Sequence, residues 1–300
     1  MKALFITTKT NECVNHVRAW NSIADIPSDH ITYDHMAIRN DAKLLEKARL
    51  SEPDVIFYIG AAKALGNPRA ETLLEMRQMA PLIHLCSDAT DKPWHPVLAG
   101  YRTRGCFDLQ VAIDGARNAP VDMSTLTPVD PGPFVSYGPR DIKCGFSGTV
   151  GRWNERSEVL SALKWFSWVT IRAREATDGY EDHARFLTWC RMLLNFSWTG
   201  SGHAHHMKGR VVEAGMAGCA LLEHVDSPIS DWLPKGCWIP WSTVKNISEI
   251  ISDITDNEIT SVATSLSDVI KQKWTPKMIY GSMLEKVGIN VGLTVQKPAA

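Results

Sequence analysis

Short apolar runs alternate with helical patterns along the first half of this chain, and this alternation constrains the fold more than any other feature. Consecutive parallel strands cannot be joined by a tight hairpin, so each connection is a crossover, which is usually helical. The pattern therefore predicts a parallel sheet covered by helices. The runs predicted to be strands are 3–7, 31–34, 53–59, 81–86 and 108–113. The helical patterns between them lie at 14–20, 41–49 and 69–79.

The same alternation starts again after residue 140, which predicts a second α/β domain. Its predicted strands are 143–148, 166–171, 192–196, 220–225 and 238–240. Its predicted helices are 156–165, 180–190, 248–254 and 259–271. Five prolines from Pro120 to Pro139 separate the halves and indicate a linker. The predicted domains are 1–125 and 141–275, with a linker at 126–140 and a C-terminal helix and tail at 276–300.

The composition is that of a soluble globular protein. Hydrophobic residues make up 44% and charged residues 22% of the chain, and the formal net charge is −1. This balance offers no global basic surface for nucleic acid. The seven cysteines include no CxxC pair, which argues against a disulfide framework and favours a cytoplasmic protein. No apolar run reaches the roughly 18 residues of a membrane-spanning helix, so we expect no membrane span.

The segment 208–218 has the pattern of a phosphate-binding helix start. Lys208 and Arg210 open a short helix, and a glycine turn then leads into a buried strand. Free amides at a helix start attract phosphate, and neighbouring cations neutralise it. Glu213 lies one turn into the helix, where a carboxylate can accept hydrogen bonds from a ribose diol. The segment predicts a nucleotide site, although a plain helix-to-strand connection has the same pattern.

A second glycine-rich turn, Gly148-Thr149-Val150-Gly151-Arg152, follows the first strand of the second half. Together with the 208–218 segment, it resembles the GT-B glycosyltransferases, and most closely the glycosyltransferase-like family that includes spore maturation proteins. The order that carries the resemblance is Gly148 to Arg156, Tyr180 to Cys190, Asn195-Phe196, Arg210, and Glu213 to Gly218. The resemblance covers the second half well and the first half as architecture only.

This resemblance implies two tandem Rossmann-like domains with an interdomain cleft, and a C-terminal helix that crosses back to the first domain. It places a nucleotide sugar in the cleft, with Glu213 on the ribose and Lys208 and Arg210 facing the phosphates. The implied donor-binding residues are Gly148, Thr149, Arg152, His203, His205, Lys208, Arg210 and Glu213. A departing nucleoside diphosphate gains negative charge in the transition state, so fixed cations at this place accelerate its departure.

One position departs from retaining enzymes of this type. They often carry a first glutamate eight residues before the ribose glutamate, and here that position is His205. We therefore expect inverting chemistry by direct displacement. His203 and His205 have a spacing that can serve zinc, but the sequence shows no obvious third ligand nearby. We expect no metal and no cofactor, because the nucleotide sugar is a co-substrate.

Four residues of the first half are candidates for the acceptor side. Asp88 follows a buried strand, at the carboxyl edge where open α/β sheets form their sites. It could take the acceptor proton as a base, or merely cap the next turn. His16 is the other candidate base, with side-chain packing as its plain alternative. Thr8 and Asn11, in the loop after the first strand, are predicted acceptor contacts.

The predicted function is that of a metal-independent glycosyltransferase, which moves a sugar from a nucleoside diphosphate to a hydroxyl acceptor. Closure about the linker would exclude water from the donor. The acceptor stays open among a small molecule, a glycan, a protein and a modified nucleic-acid base. Two alternatives use the same fold: a nucleotide-sugar epimerase, and a non-catalytic module that binds a nucleotide or sugar.

Overall fold

The chain divides into two compact units. Residues 1–130 and the segment from Pro276 onward form the first unit, and Pro131–Thr275 form the second. The computed structural model describes residues 1–9, 11–62, 64–135, 138–150, 155–173, 179–199, 201–202 and 204–290. Two predicted donor-site residues, Arg152 and His203, lie outside these ranges, as does the side chain of Asn11. None of the described helices is long and apolar enough to cross a bilayer.

The first unit is built on a six-stranded parallel sheet. Its strands are β1 (Ala3–Thr8), β2 (Asp29–Tyr33), β3 (Val55–Ile59), β4 (Leu82–Cys86), β5 (Leu109–Ala112) and β6 (Met123–Ser124). They lie in the order β2-β1-β3-β4-β5-β6. The connecting helices are α1 (Asn11–Asn21), α2 (Asp41–Ser51), α3 (Ala70–Met79) and α4 (His95–Thr103). The four central strands are buried along their whole length, which is typical of parallel strands covered on both faces.

The second unit repeats this architecture with a five-stranded parallel sheet. Its strands are β7 (Ile142–Gly148), β8 (Val169–Ala173), β9 (Cys190–Leu194), β10 (Ala220–His224) and β11 (Ile239–Trp241). They lie in the order β11-β10-β9-β7-β8. Its helices are α5 (Glu155–Leu163), α6 (Tyr180–Trp189), α7 (Gly209–Ala217), α8 (Val244–Asp253) and α9 (Asp256–Lys273). The predicted α/β fold with two tandem parallel sheets is confirmed.

The last described helix, α10 (Pro276–Lys286), packs in the first unit. The Tyr280 ring lies edge-on to Trp20 and to Phe57, with ring centroids 5.3 Å apart in both pairs. The Tyr280 hydroxyl donates a hydrogen bond of 3.0 Å to the backbone carbonyl of His16. These contacts bury a large aromatic surface and satisfy its polar atom, so they anchor α10 on α1 and the sheet.

Two differences from the predicted elements have local causes. Strand β8 begins at Val169 rather than residue 166, because the Val169 amide donates to the Phe166 carbonyl at 3.1 Å and closes a turn there. Helix α8 begins at Val244, four residues before the predicted start at Ser248. The Thr243 hydroxyl caps it by accepting from the Asn246 amide at 3.1 Å, which stabilises the added first turn.

Helix α7 packs closely on α9 because Gly215 has no side chain. A Cβ added to Gly215 would lie 2.8 Å from the Cβ of Ile270 and nearer still to its Cγ1. We expect Gly215→Ala to lower the free energy of unfolding by about 1–3 kcal/mol through overpacking. Gly100→Ala, also within a helix, is the control: its Cβ would make an ordinary contact of 3.5 Å with the flexible Arg104 guanidinium. Urea denaturation midpoints check both variants, and equal destabilisation would contradict the packing explanation.

Candidate functional site

The carboxyl end of β7 meets the start of α7. A Cβ built on Gly148 would lie 3.4 Å from Nη2 of Arg210, so the guanidinium lies beside the glycine. The same guanidinium lies over the Phe146 ring, 5.9 Å from its centroid. The same Cβ would lie closer, at 3.2 Å, to Cζ of Phe146. The structure therefore brings together two of the predicted donor-site residues, Gly148 and Arg210. A third, Thr149, is exposed and follows the end of the strand.

Glu213 lies at the centre of a buried hydrogen-bonded cluster. Its side chain points inward from α7, and the residue is only 8% exposed. Both described hydrogen bonds to the carboxylate reach Oε2: Arg210 Nε donates at 3.2 Å and His183 Nε2 lies at 3.1 Å. The other ring nitrogen of His183 lies 2.9 Å from Ser147 Oγ. The carboxyl is thus held by Arg210 of its own helix and by His183 of α6, which in turn contacts Ser147 of β7.

Lys208 is the N-cap residue of α7, with extended backbone angles of φ −82° and ψ 151°. Its carbonyl accepts a hydrogen bond of 3.0 Å from the Val211 amide, which closes the first turn. The amides that precede Val211 sit at the positive end of the helix dipole. Lys208 and Arg210 contribute two cationic side chains to this turn, and Arg210 is paired with Glu213. This helix start has the electrostatics of an anion site.

His205 lies in the segment that leads into α7, stacked among aromatic rings. Its centroid lies 3.9 Å from that of the Trp198 ring and 4.8 Å from that of the His224 ring. Its Nδ1 shares a hydrogen bond of 2.6 Å with the Ser197 hydroxyl. Burial and the neighbouring His224 lower the pKa of His205. Both effects favour the neutral imidazole at this position.

His205, His224 and Asp226 bring their ligand-type atoms within 4.8 Å of one another. The two imidazole planes are nearly parallel, at 14°, so the in-plane lone pairs of their nitrogens do not converge on a common point. The Asp226 amide also lies 3.2 Å from His224 Nδ1 and donates to it. Tetrahedral zinc requires converging ligands, so we do not assign these groups to a metal. Metal independence stays a prediction.

A second buried carboxyl, Glu223, lies near the end of β10 and is fully inaccessible to solvent. The Asn195 amide donates to its Oε2 at 2.6 Å, and the His224 backbone amide donates to Oε1 at 3.1 Å. Burial raises the pKa of Glu223 to about 7. Unlike Glu213, this carboxyl is held by neutral donors. It therefore has access to both protonation states near neutral pH.

The acceptor-side candidates lie in the first unit. Thr8 ends β1 and is buried, and Asp88 is half-buried in the turn after β4, where its carbonyl accepts from the Asp91 amide at 3.0 Å. His16 lies inside α1 and is 4% exposed, and burial lowers its pKa to about 4. A buried Asp114 follows β5 and accepts from the Thr90 amide at 2.9 Å. The roles of Thr8, Asn11, His16 and Asp88 stay predictions.

The sequence reasoning missed Ser147, His183 and Glu223. His183 shares a helical face with Tyr180, Ala184 and Leu187, all buried. That spacing of three, four and seven residues marks the inward face, so a histidine on it signals a buried polar partner. Glu223 likewise follows three apolar residues in the fully buried strand β10, which is an unusual place for a carboxyl group.

No family model and no curated protein sequence matches the chain. Solved structures do resemble it. HepE of Anabaena, in complex with UDP and glucose, is 12% identical with a TM-score of 0.62, covering 96% of this chain and 99% of HepE. A glycosyltransferase of Rickettsia africae is 9% identical with a TM-score of 0.62, covering 95% and 97% of the two chains.

UDP-GlcNAc 2-epimerase of Neisseria meningitidis, bound to UDP-GlcNAc, is 11% identical with a TM-score of 0.51, covering 95% of this chain and all of that one. At such identities the likeness concerns the fold alone. It does not extend to the narrower resemblance to spore maturation proteins, which no sequence match supports. The chain thus has the two-domain α/β fold of GT-B glycosyltransferases.

Proposed function

We propose that this protein is a glycosyltransferase whose second unit binds a nucleoside diphosphate sugar. The observation that carries the proposal is a helix start with two cationic residues, Lys208 and Arg210, followed one turn later by the buried, hydrogen-bonded carboxyl of Glu213. A nucleoside diphosphate presents a diphosphate and a ribose diol a few ångströms apart. These are the two groups that cations and a carboxylate recognise.

The charges at this helix start also suit the transfer step. When the bond between the sugar and the diphosphate breaks, negative charge develops on the departing phosphate oxygen. Arg210 is held by Glu213 and lies beside Gly148, so it is already placed when that charge appears. Donors that need no reorganisation stabilise a transition state more than a ground state. We propose that Lys208 and Arg210 act in this way.

The fold comparison supports the nucleotide-sugar donor. HepE has been solved with UDP, with UDP-glucose, and with UDP and glucose.

On the acceptor side we propose Asp88 as the base, because it is half-buried whereas His16 is almost fully enclosed. Loss of transfer in Asp88→Asn, with unchanged donor binding, tests that role. Inverting stereochemistry, a metal-independent reaction and a cytoplasmic location remain parts of this proposal.

An epimerase is the second candidate function, because the likeness to UDP-GlcNAc 2-epimerase extends over nearly the whole chain. The two reactions differ in their need for an acceptor. Incubation of the protein with UDP-GlcNAc alone would change the sugar in an epimerase and leave it intact in a transferase. Product analysis by NMR distinguishes them, and conversion of the sugar without an acceptor would replace the transferase proposal.

A thermal-shift panel of UDP, ADP, GDP, CDP and UDP-glucose tests the donor site. A ligand that binds only the folded state raises stability by mass action, by about 2.7 kcal/mol at 100 times its Kd. We expect at least one nucleoside diphosphate to raise the melting temperature, and the matching nucleoside without phosphates to raise it much less. If none of these compounds changes the melting temperature, the proposed function is wrong.

A further inference from the structure

His183 contacts the Glu213 carboxyl, and Ser147 contacts His183 on the other side of its ring. Ser147 comes from β7 and His183 from α6, and each is 1% exposed. The chain of contacts runs from Ser147 Oγ to His183 Nδ1 at 2.9 Å, and from His183 Nε2 to Glu213 Oε2 at 3.1 Å. A serine, histidine and carboxylate in a row also occur in hydrolases. Here the serine is enclosed, so it is not placed to attack a substrate.

The contacts favour one tautomer of His183. The Arg210 guanidinium beside Oε2 favours an ionised carboxylate, which can only accept, so we assign the proton of His183 to Nε2, from which it donates to Glu213. In the neutral ring Nδ1 is then an acceptor, and it takes the hydroxyl hydrogen of Ser147. Ser147 therefore selects the tautomer of His183 that can hold Glu213.

We propose that Ser147 and His183 are positioning residues that hold Glu213 in the orientation in which it binds the ribose. A glutamate side chain has several rotatable bonds, and ordering it only when the ligand arrives costs affinity. Arg210 and His183 approach the same oxygen from different elements and remove that freedom beforehand. The inference rests on the proposed function, because it concerns how the nucleotide is recognised.

Two amide substitutions at position 183 provide a matched test. The side-chain nitrogen of glutamine can take the place of Nε2 and donate to Glu213, whereas asparagine reaches only to the place of Nδ1, beside Ser147. We measure the affinities of UDP and 2′,3′-dideoxy-UDP by calorimetry. The preference is the ratio of the affinity for UDP to that for 2′,3′-dideoxy-UDP. We expect His183→Asn to lower this ratio about tenfold and His183→Gln to keep most of it. Equal preference in both variants would overturn the proposal.

The ring nitrogens of His183 give a readout that does not depend on nucleotide binding. In the wild-type protein, ¹⁵N NMR should show a pyrrole-type Nε2 and a pyridine-type Nδ1 for this residue. Ser147→Ala removes the donor to Nδ1 and should reduce the population of that tautomer. A wild-type ring with its proton on Nδ1 would overturn the inference. Failure of every nucleoside diphosphate of the thermal-shift panel to bind the wild-type protein would instead refute the proposed function and leave this NMR test in place.

Discussion

Replacing Glu213 with alanine is expected to weaken UDP binding by about 10- to 100-fold. A hydrogen bond to a charged group contributes about 1.5–3 kcal/mol, and the variant loses the acceptor for the ribose hydroxyls. The carboxylate also anchors Arg210, so the phosphate contact loosens as well. Glu213 is 8% exposed, and its removal costs stability in addition. Affinity is therefore measured by calorimetry well below the melting temperature.

Two controls isolate the ribose contact. 2′,3′-Dideoxy-UDP lacks both hydroxyls, so its affinity should fall much less in Glu213→Ala than that of UDP. Glu249→Ala changes a half-exposed carboxylate on α8 that pairs with the exposed Lys245, and both affinities should stay at the wild-type values. A Glu213→Ala variant that still prefers UDP to the dideoxy compound as strongly as the wild-type protein would refute the assigned role of Glu213.

The sequence predicts those residues of the site that lie close together in the chain. Lys208, Arg210 and Glu213 fall within six residues, and helix geometry alone places Arg210 and Glu213 on one face. The glycine at 218 adopts φ 68°, the left-handed conformation that ends α7, as a glycine after a short helix indicates. Local rules therefore suffice for the helix start, its charges and its end.

The partners of Glu213 could not be found in the same way. Ser147 and His183 are 66 and 30 residues away in the chain, and only the packing of α6 against β7 and α7 brings them to the carboxylate. Periodicity shows that His183 faces inward but not what it meets. The same limit applies to His205 and His224, whose stacking depends on the end of β10 meeting the segment before α7.

The two buried carboxyls of the second unit have opposite electrostatics. Glu213 accepts from the cationic Arg210, whereas the described partners of Glu223 are neutral amides and hydroxyls. Burial of a charge without a cationic partner favours the protonated form. For this reason the pKa of Glu223 rises from its ordinary value of 4.5 to about 7. Stability should therefore depend on the ionisation of this one side chain.

The free energy of unfolding of Glu223→Gln, relative to that of the wild-type protein, is expected to rise by about 2–3 kcal/mol as the pH goes from 5 to 8. Because the folded-state pKa of Glu223 is raised, the folded protein binds the proton more tightly than the unfolded chain. The stabilisation from this group is fully present below about pH 4.5 and is lost as the pH rises through about 7. Glutamine keeps the shape without the charge, so the variant avoids that loss.

Urea denaturation of the wild-type protein and Glu223→Gln at several pH values gives the difference between their free energies of unfolding. Buried His16 and His84, whose pKa values fall to about 4 and about 3, act in the opposite direction, since their stabilisation is lost as the pH falls. They are present in both proteins, so their contributions cancel in the difference. A difference that stays constant from pH 5 to pH 8 would mean that Glu223 is ionised throughout this range in the folded protein, as it is in the unfolded chain. A difference that rises with pH and levels off above about 7 would identify Glu223 as the titrating group.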